Sequence, residues 1–233
     1  MAKVYNGVFG GISGTVGNIV GASWRNIWYI RLIPKSIINP KTKDQRNQRN
    51  KFIDIIDFFS PCVPILPYCW KKGTRKMSEF NAAVSYNIQQ AFDENNNLVI
   101  PNIRISQGPV TPPVGVVIKD ASDEKRRAIE FNWADNTNEG WGKADDIAAF
   151  ICVDYDNGLY WWATSSCRGP LVPGTVINIP ARNPSNVQSK KKQPTVDFPK
   201  QIVHCFMAFV SQDKEVSNSI YCGAIKFNEQ KSI

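Results

Sequence analysis

Two stretches in the N-terminal half of the chain repeat their apolar residues with the spacing of a helix. The first, within residues 43–59, has its apolar residues at Phe52, Ile55, Ile56 and Phe59. The second has them at Met77, Phe80, Val84, Ile88, Ala91 and Phe92. Thr42 and Gln45 have the spacing of a capping box at the start of the first stretch. The pattern predicts two amphipathic helices within residues 42–97, joined by a proline-rich turn as a helical hairpin.

From about residue 98 the apolar period changes to two residues, which predicts β-strands. The predicted strands are 99–106, 114–119, 128–133, 146–155, 159–165, 175–179, 202–211 and 217–224. Two of them, 146–155 and 202–211, are apolar on both sides, so each is expected at the centre of a sheet. Asn157-Gly158 predicts a tight hairpin turn. The fold class is therefore α+β and mainly β, with an immunoglobulin- or fibronectin-like antiparallel β-sandwich over residues 98–233.

The first forty residues have a different pattern, because glycines recur there every three or four positions. Glycine weakens both helix and regular strand, so residues 1–41 are predicted to form an extended, irregular arm. The apolar residues within the arm, including Trp24 and Trp28, need a surface on which to pack. Two alternatives follow. The arm reaches a neighbouring subunit, or it folds back on its own domain as a β-ribbon.

The positive charge of the chain belongs to its N-terminal part. The formal charge of the whole chain is +8, and residues 1–50 hold eight Lys or Arg residues against one acid, Asp44. A basic segment of this kind can contact nucleic acid, a membrane surface or an acidic protein. Its bases are dispersed and lack a recognition helix, which does not favour nucleic acid. Farther along the chain, residues 183–193 are predicted to form a polar, solvated loop.

The sequence offers little catalytic or metal-binding chemistry. Its six cysteines form no CxxC pair, and the one histidine, His204, alternates with apolar residues in a predicted strand. The glycines at positions 11–17 match neither GxxxxGK[ST] nor GxGxxG. Glycine and asparagine interrupt residues 7–23, which argues against a signal peptide or membrane helix. We therefore expect no catalytic residue, cofactor, metal, membrane or small-molecule substrate, and we expect buried thiols in a reducing compartment.

Two further features have a catalytic or binding alternative. The acidic pairs Asp145-Asp146 and Asp154/Asp156 could serve a carboxylate-based enzyme, although they are expected to be solvated charges beside strands. Trp161 and Trp162 could form a platform that stacks on sugars. Because neighbouring residues of a strand point to opposite faces, one of these tryptophans is expected in the core and the other at an interface.

Residues 6–31, NGVFGGISGTVGNIVGASWRNIWYIR, resemble the opening signature of an uncharacterised protein family of Bacteroidota and their phages. The signature has the form N-G-x-x-G-x-x-S-G-K-V-G-x-V-V-G-x-x-W-K-G, followed by an apolar residue and Arg. The matching residues are Asn6, Gly7, Gly10, Ser13, Gly14, Val16, Gly17, Val20, Gly21, Trp24 and Arg31. Thr15 and Asn26 depart from the usual Lys and Gly, and Arg25 replaces Lys. Further matches lie in residues 77–87 and 216–221.

Members of that family are similar to virion proteins of crAss-like phages. The resemblance implies a non-enzymatic virion structural protein that is assembled in the host cytoplasm as a ring subunit of the phage tail or portal-proximal barrel. Its expected partners are copies of itself in a ring, neighbouring tail or portal ring proteins, and packaged DNA. The expected interface residues of the arm are Gly10, Gly11, Ser13, Gly14, Gly17, Trp24, Arg25, Trp28 and Arg31. The alternative is a bacterial Ig-like binding module, directed at cell surfaces or glycans through Trp161 or Trp162.

Overall fold

The computed structural model describes residues 3–4, 10–24, 26–36, 40–70, 77–123, 127–165, 168, 175–179 and 201–227. These residues form an α+β fold that is mainly β, with antiparallel sheets and three α-helices. The chain divides into two compact units, Met1–Lys43 and Asp44–Ile233. No helix within the described ranges is long and apolar enough to cross a membrane. The predicted loop over residues 183–193 lies outside these ranges.

The first unit is a four-stranded antiparallel sheet, which we call the N-terminal sheet. In the order β1-β2-β3-β4, its strands are Lys3–Val4, Ile12–Val16, Ile19–Trp24 and Ile27–Leu32. The extended, irregular arm predicted for residues 1–41 is therefore not found in the described part of this stretch. Gly17 at φ +55° and Asn26 at φ +64° supply the left-handed backbone that two-residue hairpin connections require, so the strands can pair.

The second unit contains two antiparallel sheets, with the strand orders β11-β10-β7-β8 and β5-β6-β9. The strands are Val114–Asp120 (β5), Arg127–Ala134 (β6), Ile147–Asp154 (β7), Leu159–Ser165 (β8), Thr175–Ile179 (β9), Gln201–Val210 (β10) and Ile220–Phe227 (β11). Seven predicted strands are confirmed, the last of them shifted by three residues. The strand order also confirms that β7 and β10, which are apolar on both sides, lie at the centre of their sheet.

Side chains from both of these sheets share one buried core. The core includes Phe131 of β6, Phe150 of β7, Ile177 of β9 and Phe209 of β10. The ring centroids of Phe131 and Phe150 lie 4.7 Å apart. Full burial of a side chain of this size contributes about 1.5–3 kcal/mol to stability, so this core holds the two sheets together.

Helical segments pack against the opposite face of the four-stranded sheet. They are α1 (Lys43–Phe59), α2 (Leu66–Cys69), α3 (Glu79–Gln90) and a 3₁₀ turn (Ile100–Asn102). Phe58 of α1 contacts Phe206 of β10 edge to face, with ring centroids 6.2 Å apart. Ser78 caps α3 by accepting a hydrogen bond from the backbone N–H of Asn81. The helices α1 and α3 confirm the two predicted helices, whereas α2 lies in the predicted proline-rich turn.

The predicted strand over residues 99–106 is wrong. Ile100–Asn102 form a 3₁₀ turn, and the N–H groups of residues 104–106 bond to side chains rather than to another strand. Arg104 N–H donates to Asn87 Oδ1 at 2.8 Å. Ile105 N–H donates to Ser219 Oγ, also at 2.8 Å. The apolar alternation that predicted a strand reflects real burial, and the backbone groups are satisfied in another way.

Candidate interaction surface on the N-terminal sheet

The structure brings most of the predicted interface residues into the N-terminal sheet. Gly10 and Gly11 precede β2, Ser13 and Gly14 lie in β2, Gly17 lies in the β2–β3 turn, Trp24 ends β3, and Trp28 and Arg31 lie in β4. Arg25 lies outside the described residues. These described residues therefore belong to one sheet and its connections, but the environments of their side chains differ.

Two glycines allow close contacts within the sheet itself. A Cβ atom on Gly11 would lie 1.9 Å from Cδ2 of Trp28, so the indole ring rests directly on the Gly11 backbone. A Cβ atom on Gly21 would lie 2.3 Å from the carbonyl oxygen of Ile12. Gly21 was not among the predicted interface residues, although it belongs to the matching signature. Contact between Gly11 and a partner stays a prediction.

The strand β4 is exposed along its whole length. The exposed fraction of its large apolar side chains lies between 44% at Trp28 and 73% at Leu32. By the register of β3 and β4, Trp28, Ile30 and Leu32 lie on one face, and Ile27 and Tyr29 lie on the other. Apolar side chains are therefore exposed on both faces of the sheet.

The N-terminal sheet has almost no core of its own. Among the described residues of this unit, only Gly21 is buried. A sheet ordinarily gains its stability by packing at least one apolar face against another element. The exposed apolar residues of the N-terminal sheet therefore form a candidate interaction surface.

The size of this apolar surface can be compared with known interfaces. Seven large apolar side chains between Trp24 and Ile33 expose about half of their surface on average. At roughly 200 Å² for a fully exposed large side chain, they present on the order of 700 Å². The largest apolar patch of a monomeric protein is about 300–600 Å², and each partner in a standard interface buries about 800 Å². The total approaches one side of a standard interface, but it is divided between the two faces of the sheet, and each face alone has the size of a large monomer patch.

The unit that contains the N-terminal sheet is also strongly basic. Residues 1–43 contain six Lys or Arg residues and no Asp or Glu. Arg31 lies in β4, and its side chain is exposed among the apolar residues. A partner of opposite charge would bind this surface more weakly as salt is added, whereas a partner of the same charge would bind more strongly.

One member of each acidic pair that suggested an alternative enzyme has a structural role. Asp146 and Asp154 are fully buried, so the expectation of solvated charges is wrong for them, whereas the exposed Asp145 and Asp156 confirm it. Asp154 Oδ2 accepts a hydrogen bond from Asn157 Nδ2 at 2.8 Å and thereby stabilises the β7–β8 turn. Burial raises the pKa of Asp154 above its usual range, and the hydrogen bonds from Asn157 oppose that change. The carboxylate therefore supports a hairpin turn.

The described cysteines are thiols in apolar surroundings. Cys62, Cys69, Cys152 and Cys205 are buried, and Cys222 is half-buried. Burial raises the pKa of Cys69 and of Cys222 to about 12, which disfavours the thiolate. The described residues contain no cluster of His, Cys, Asp and Glu that could hold a metal ion. Cys167 lies outside those residues.

The two neighbouring tryptophans of β8 have opposite environments, as alternation along a strand predicts. Trp161 belongs to the core between the sheets and is 6% exposed. Trp162 points to the other face and is 56% exposed. Trp141, in the β6–β7 connection, is 74% exposed and was not singled out from the sequence.

His204 is a half-buried residue of β10 whose Nδ1 lies 3.0 Å from the hydroxyl oxygen of Tyr221. Burial lowers the pKa of His204 below its usual range, and Asp156 and Asp154 oppose this effect. The folded protein therefore favours the neutral ring. As pH falls through about 6.5, the unfolded chain takes up a proton that the folded chain resists, and stability declines.

His204→Gln is therefore expected to reduce the loss of stability between pH 7 and pH 5.5. The protein has a single histidine, so this variant removes its only imidazole, while both proteins contain the same carboxylates. Urea unfolding at several pH values measures the two slopes. Parallel slopes for the two proteins would contradict the assigned role of the neutral ring.

The fold defines a β-rich protein whose N-terminal sheet exposes large apolar side chains. The chain belongs to a family of unknown function, DUF6266, whose model matches residues 11–223. The match covers β2, β3 and β4 of the N-terminal sheet and runs through the second unit into β11. Neither the curated proteins nor the solved structures contain a match to this chain.

Proposed function

We propose that this chain is a non-enzymatic structural protein of a phage virion, a ring subunit of the tail or the portal-proximal barrel that assembles through its N-terminal sheet. The observation that carries the proposal is the sheet itself, with apolar side chains exposed on both faces and only Gly21 buried among its described residues. Such a sheet is stable when neighbours cover it. A subunit in a closed ring has one neighbour on each side.

The resemblance of residues 6–31 to the signature of phage and Bacteroidota proteins supports the same proposal. Trp24 and Trp28 act as apolar anchors in the interface, and Arg31 pairs with acidic neighbours or packaged DNA. The family model also spans both units, which supports a joint role for the N-terminal sheet and the body. The assembled chain belongs to the virion after assembly in the host cytoplasm.

We further propose that the second unit is a sandwich of the fibronectin type. The three-stranded order β5-β6-β9 and the four-stranded order β11-β10-β7-β8 correspond to the two sheets of that topology. The shared core between the sheets supports this assignment. In a ring, such a body provides the rigid domain of each subunit.

The test compares the mass in solution of the full-length protein with that of two double variants. Replacing Ile30 and Leu32 with threonine removes apolar surface from β4 and keeps β-branched residues in the strand. The matched control replaces Val114 and Val117, which are similarly exposed on β5, with threonine. Light scattering and native mass spectrometry are expected to show oligomers for the wild type and the control, and a shift to monomer for the β4 variant.

The same measurement is repeated with candidate portal and tail ring proteins. A wild-type protein that stays monomeric and joins none of these complexes would overturn the proposal. The exposed Trp162 would then favour the alternative, an Ig-like binding module, since aromatic platforms stack on sugars. Loss of glycan binding in Trp162→Ala would support that alternative.

A further inference from the structure

The outer edge of β4 offers hydrogen-bonding groups in a defined pattern. Ile33 N–H donates to the carbonyl oxygen of Asn18 at 2.8 Å, which fixes the phase of the bonds between β3 and β4. Because hydrogen-bonded pairs recur every second residue, the backbone groups of Tyr29 and Arg31 point toward β3. Those of Ile30 and Leu32 point outward. No strand among the described residues pairs with this edge.

We propose that β4 pairs in an antiparallel arrangement with β4 of a second copy of this chain, with the two Ile30 residues opposite each other. The inference rests on the proposed function, because it names one contact through which subunits assemble. As a two-fold contact, it would join facing subunits of two rings, whereas neighbours within one ring meet head to tail. Exposed apolar edge strands are templates for pairing with another strand. The paired edges would join two N-terminal sheets into one continuous sheet.

The residues of β4 are complementary to themselves in this register. With Ile30 opposite Ile30, Trp28 faces Leu32 and Tyr29 faces Arg31 of the second copy. The apolar pairs each contribute roughly 0.2–1 kcal/mol relative to alanine pairs. Arg31 gains an aromatic neighbour, which favours a cation–π contact. A register centred on Arg31 would place two arginines side by side, which is destabilising.

The register also pairs the longest stretch of the strand. Centring on Ile30 lets residues 27–33 pair with the same residues of the second copy. Centring on Tyr29 would bring Asn26, which has φ +64°, opposite Leu32. A residue in this left-handed conformation ends regular pairing, so the register centred on Ile30 keeps more hydrogen bonds.

The salt dependence of association distinguishes binding to a second copy from binding to an acidic protein or nucleic acid. Each copy brings six Lys or Arg residues and no acid in residues 1–43, so two copies repel each other through these charges. Added salt screens the repulsion and is expected to strengthen the dimer. An acidic protein or nucleic acid would dissociate as salt increases. Weaker association of copies at higher salt would contradict the proposal.

The register is tested by oxidative cross-linking of the full-length protein with diamide. Ile30→Cys places two thiols in directly opposite positions, where Cα atoms about 5.5 Å apart suit a disulfide. Leu32→Cys is the matched control, because the two thiols would lie four residues apart along the strands, about 14 Å. Ile30→Cys is expected to form covalent dimers at least roughly tenfold faster than Leu32→Cys. The wild-type protein under the same conditions measures the background from its six native cysteines.

The outcomes separate this inference from the proposed function. Oligomers that depend on β4 but show equal cross-linking at positions 30 and 32 would overturn the register and leave the ring subunit in place. Fast cross-linking at position 30 in a protein that joins no ring or virion component would support the strand pairing. The same result would overturn the proposed function. A protein that is monomeric at all salt concentrations would overturn both.

Discussion

Replacing Arg168 with alanine is expected to lower the free energy of unfolding by about 3–5 kcal/mol. Its guanidinium is completely buried, as is its partner Asp146. Arg168 Nη2 lies 2.8 Å from Asp146 Oδ2, and Nε donates to the same oxygen at 3.0 Å. Removing the arginine leaves the carboxylate buried without its counter-charge, and this is the main cost.

Arg168 also connects three other parts of the chain. Its Nη1 donates to Asn136 Oδ1 at 3.0 Å, and its Nη2 donates to the carbonyl oxygen of Thr111 at 2.8 Å. The guanidinium carbon lies 4.0 Å from the ring centroid of Phe209. These contacts fasten the β6–β7 connection to the strand core, so their loss is expected to release that connection as well.

Urea unfolding of Arg168→Ala measures the change, with Lys143→Ala as the control. Lys143 forms an exposed ion pair with Asp213 at 3.9 Å, so its removal is expected to change stability by less than about 1 kcal/mol. The double variant Arg168→Met with Asp146→Leu removes both charges and is expected to be more stable than Arg168→Ala. Equal stability of Arg168→Ala and Lys143→Ala would contradict a structural role for the buried pair.

The sequence could not have predicted this ion pair, because it depends on how distant segments meet. Arg168 follows β8, whereas Asp146 precedes β7, and no local spacing relates them. The strands themselves were predictable, since alternation marks a strand with one buried face and a continuous apolar run marks the central strands β7 and β10. The segment over residues 99–106 shows the limit of that rule. Its alternation predicts the burial of Ile103 and Ile105 correctly, but a 3₁₀ turn and side chains from other segments satisfy its backbone.

The N-terminal sheet shows a different limit. Glycine content alone predicted irregular backbone, although one position carried a local signal for a hairpin. Gly17-Asn18 lies between two apolar runs, a dipeptide that favours a tight turn. Asn26, the only described non-glycine residue with positive φ in this sheet, forms the second turn without a glycine to mark it. Neither signal predicted that β4 is exposed, because the exposure of a strand depends on which neighbours are present.

The second large effect is expected for Gly21→Val, which should open the N-terminal sheet and abolish assembly. Gly21 pairs with Gly14 on one side and with Ile30 on the other, so it lies at the centre of the sheet. A Cβ atom there would lie 2.3 Å from the carbonyl oxygen of Ile12, which is backbone and cannot rotate away. Overpacking of this kind costs about 1–3 kcal/mol. A sheet with almost no core of its own has little stability with which to offset that cost.

Amide hydrogen exchange of the full-length protein measures the opening. Exchange from β3 and β4 is expected to accelerate roughly 10- to 100-fold in Gly21→Val, because about 1.4 kcal/mol corresponds to a factor of ten. Ser23→Val is the matched control, since Ser23 lies on the same strand and face but is exposed. The amides of β7 and β10 should keep their protection in both variants, because these strands belong to a separate compact unit. If Gly21→Val left exchange from β3 and β4 and the oligomeric mass unchanged, the N-terminal sheet would not be the element through which the chain assembles.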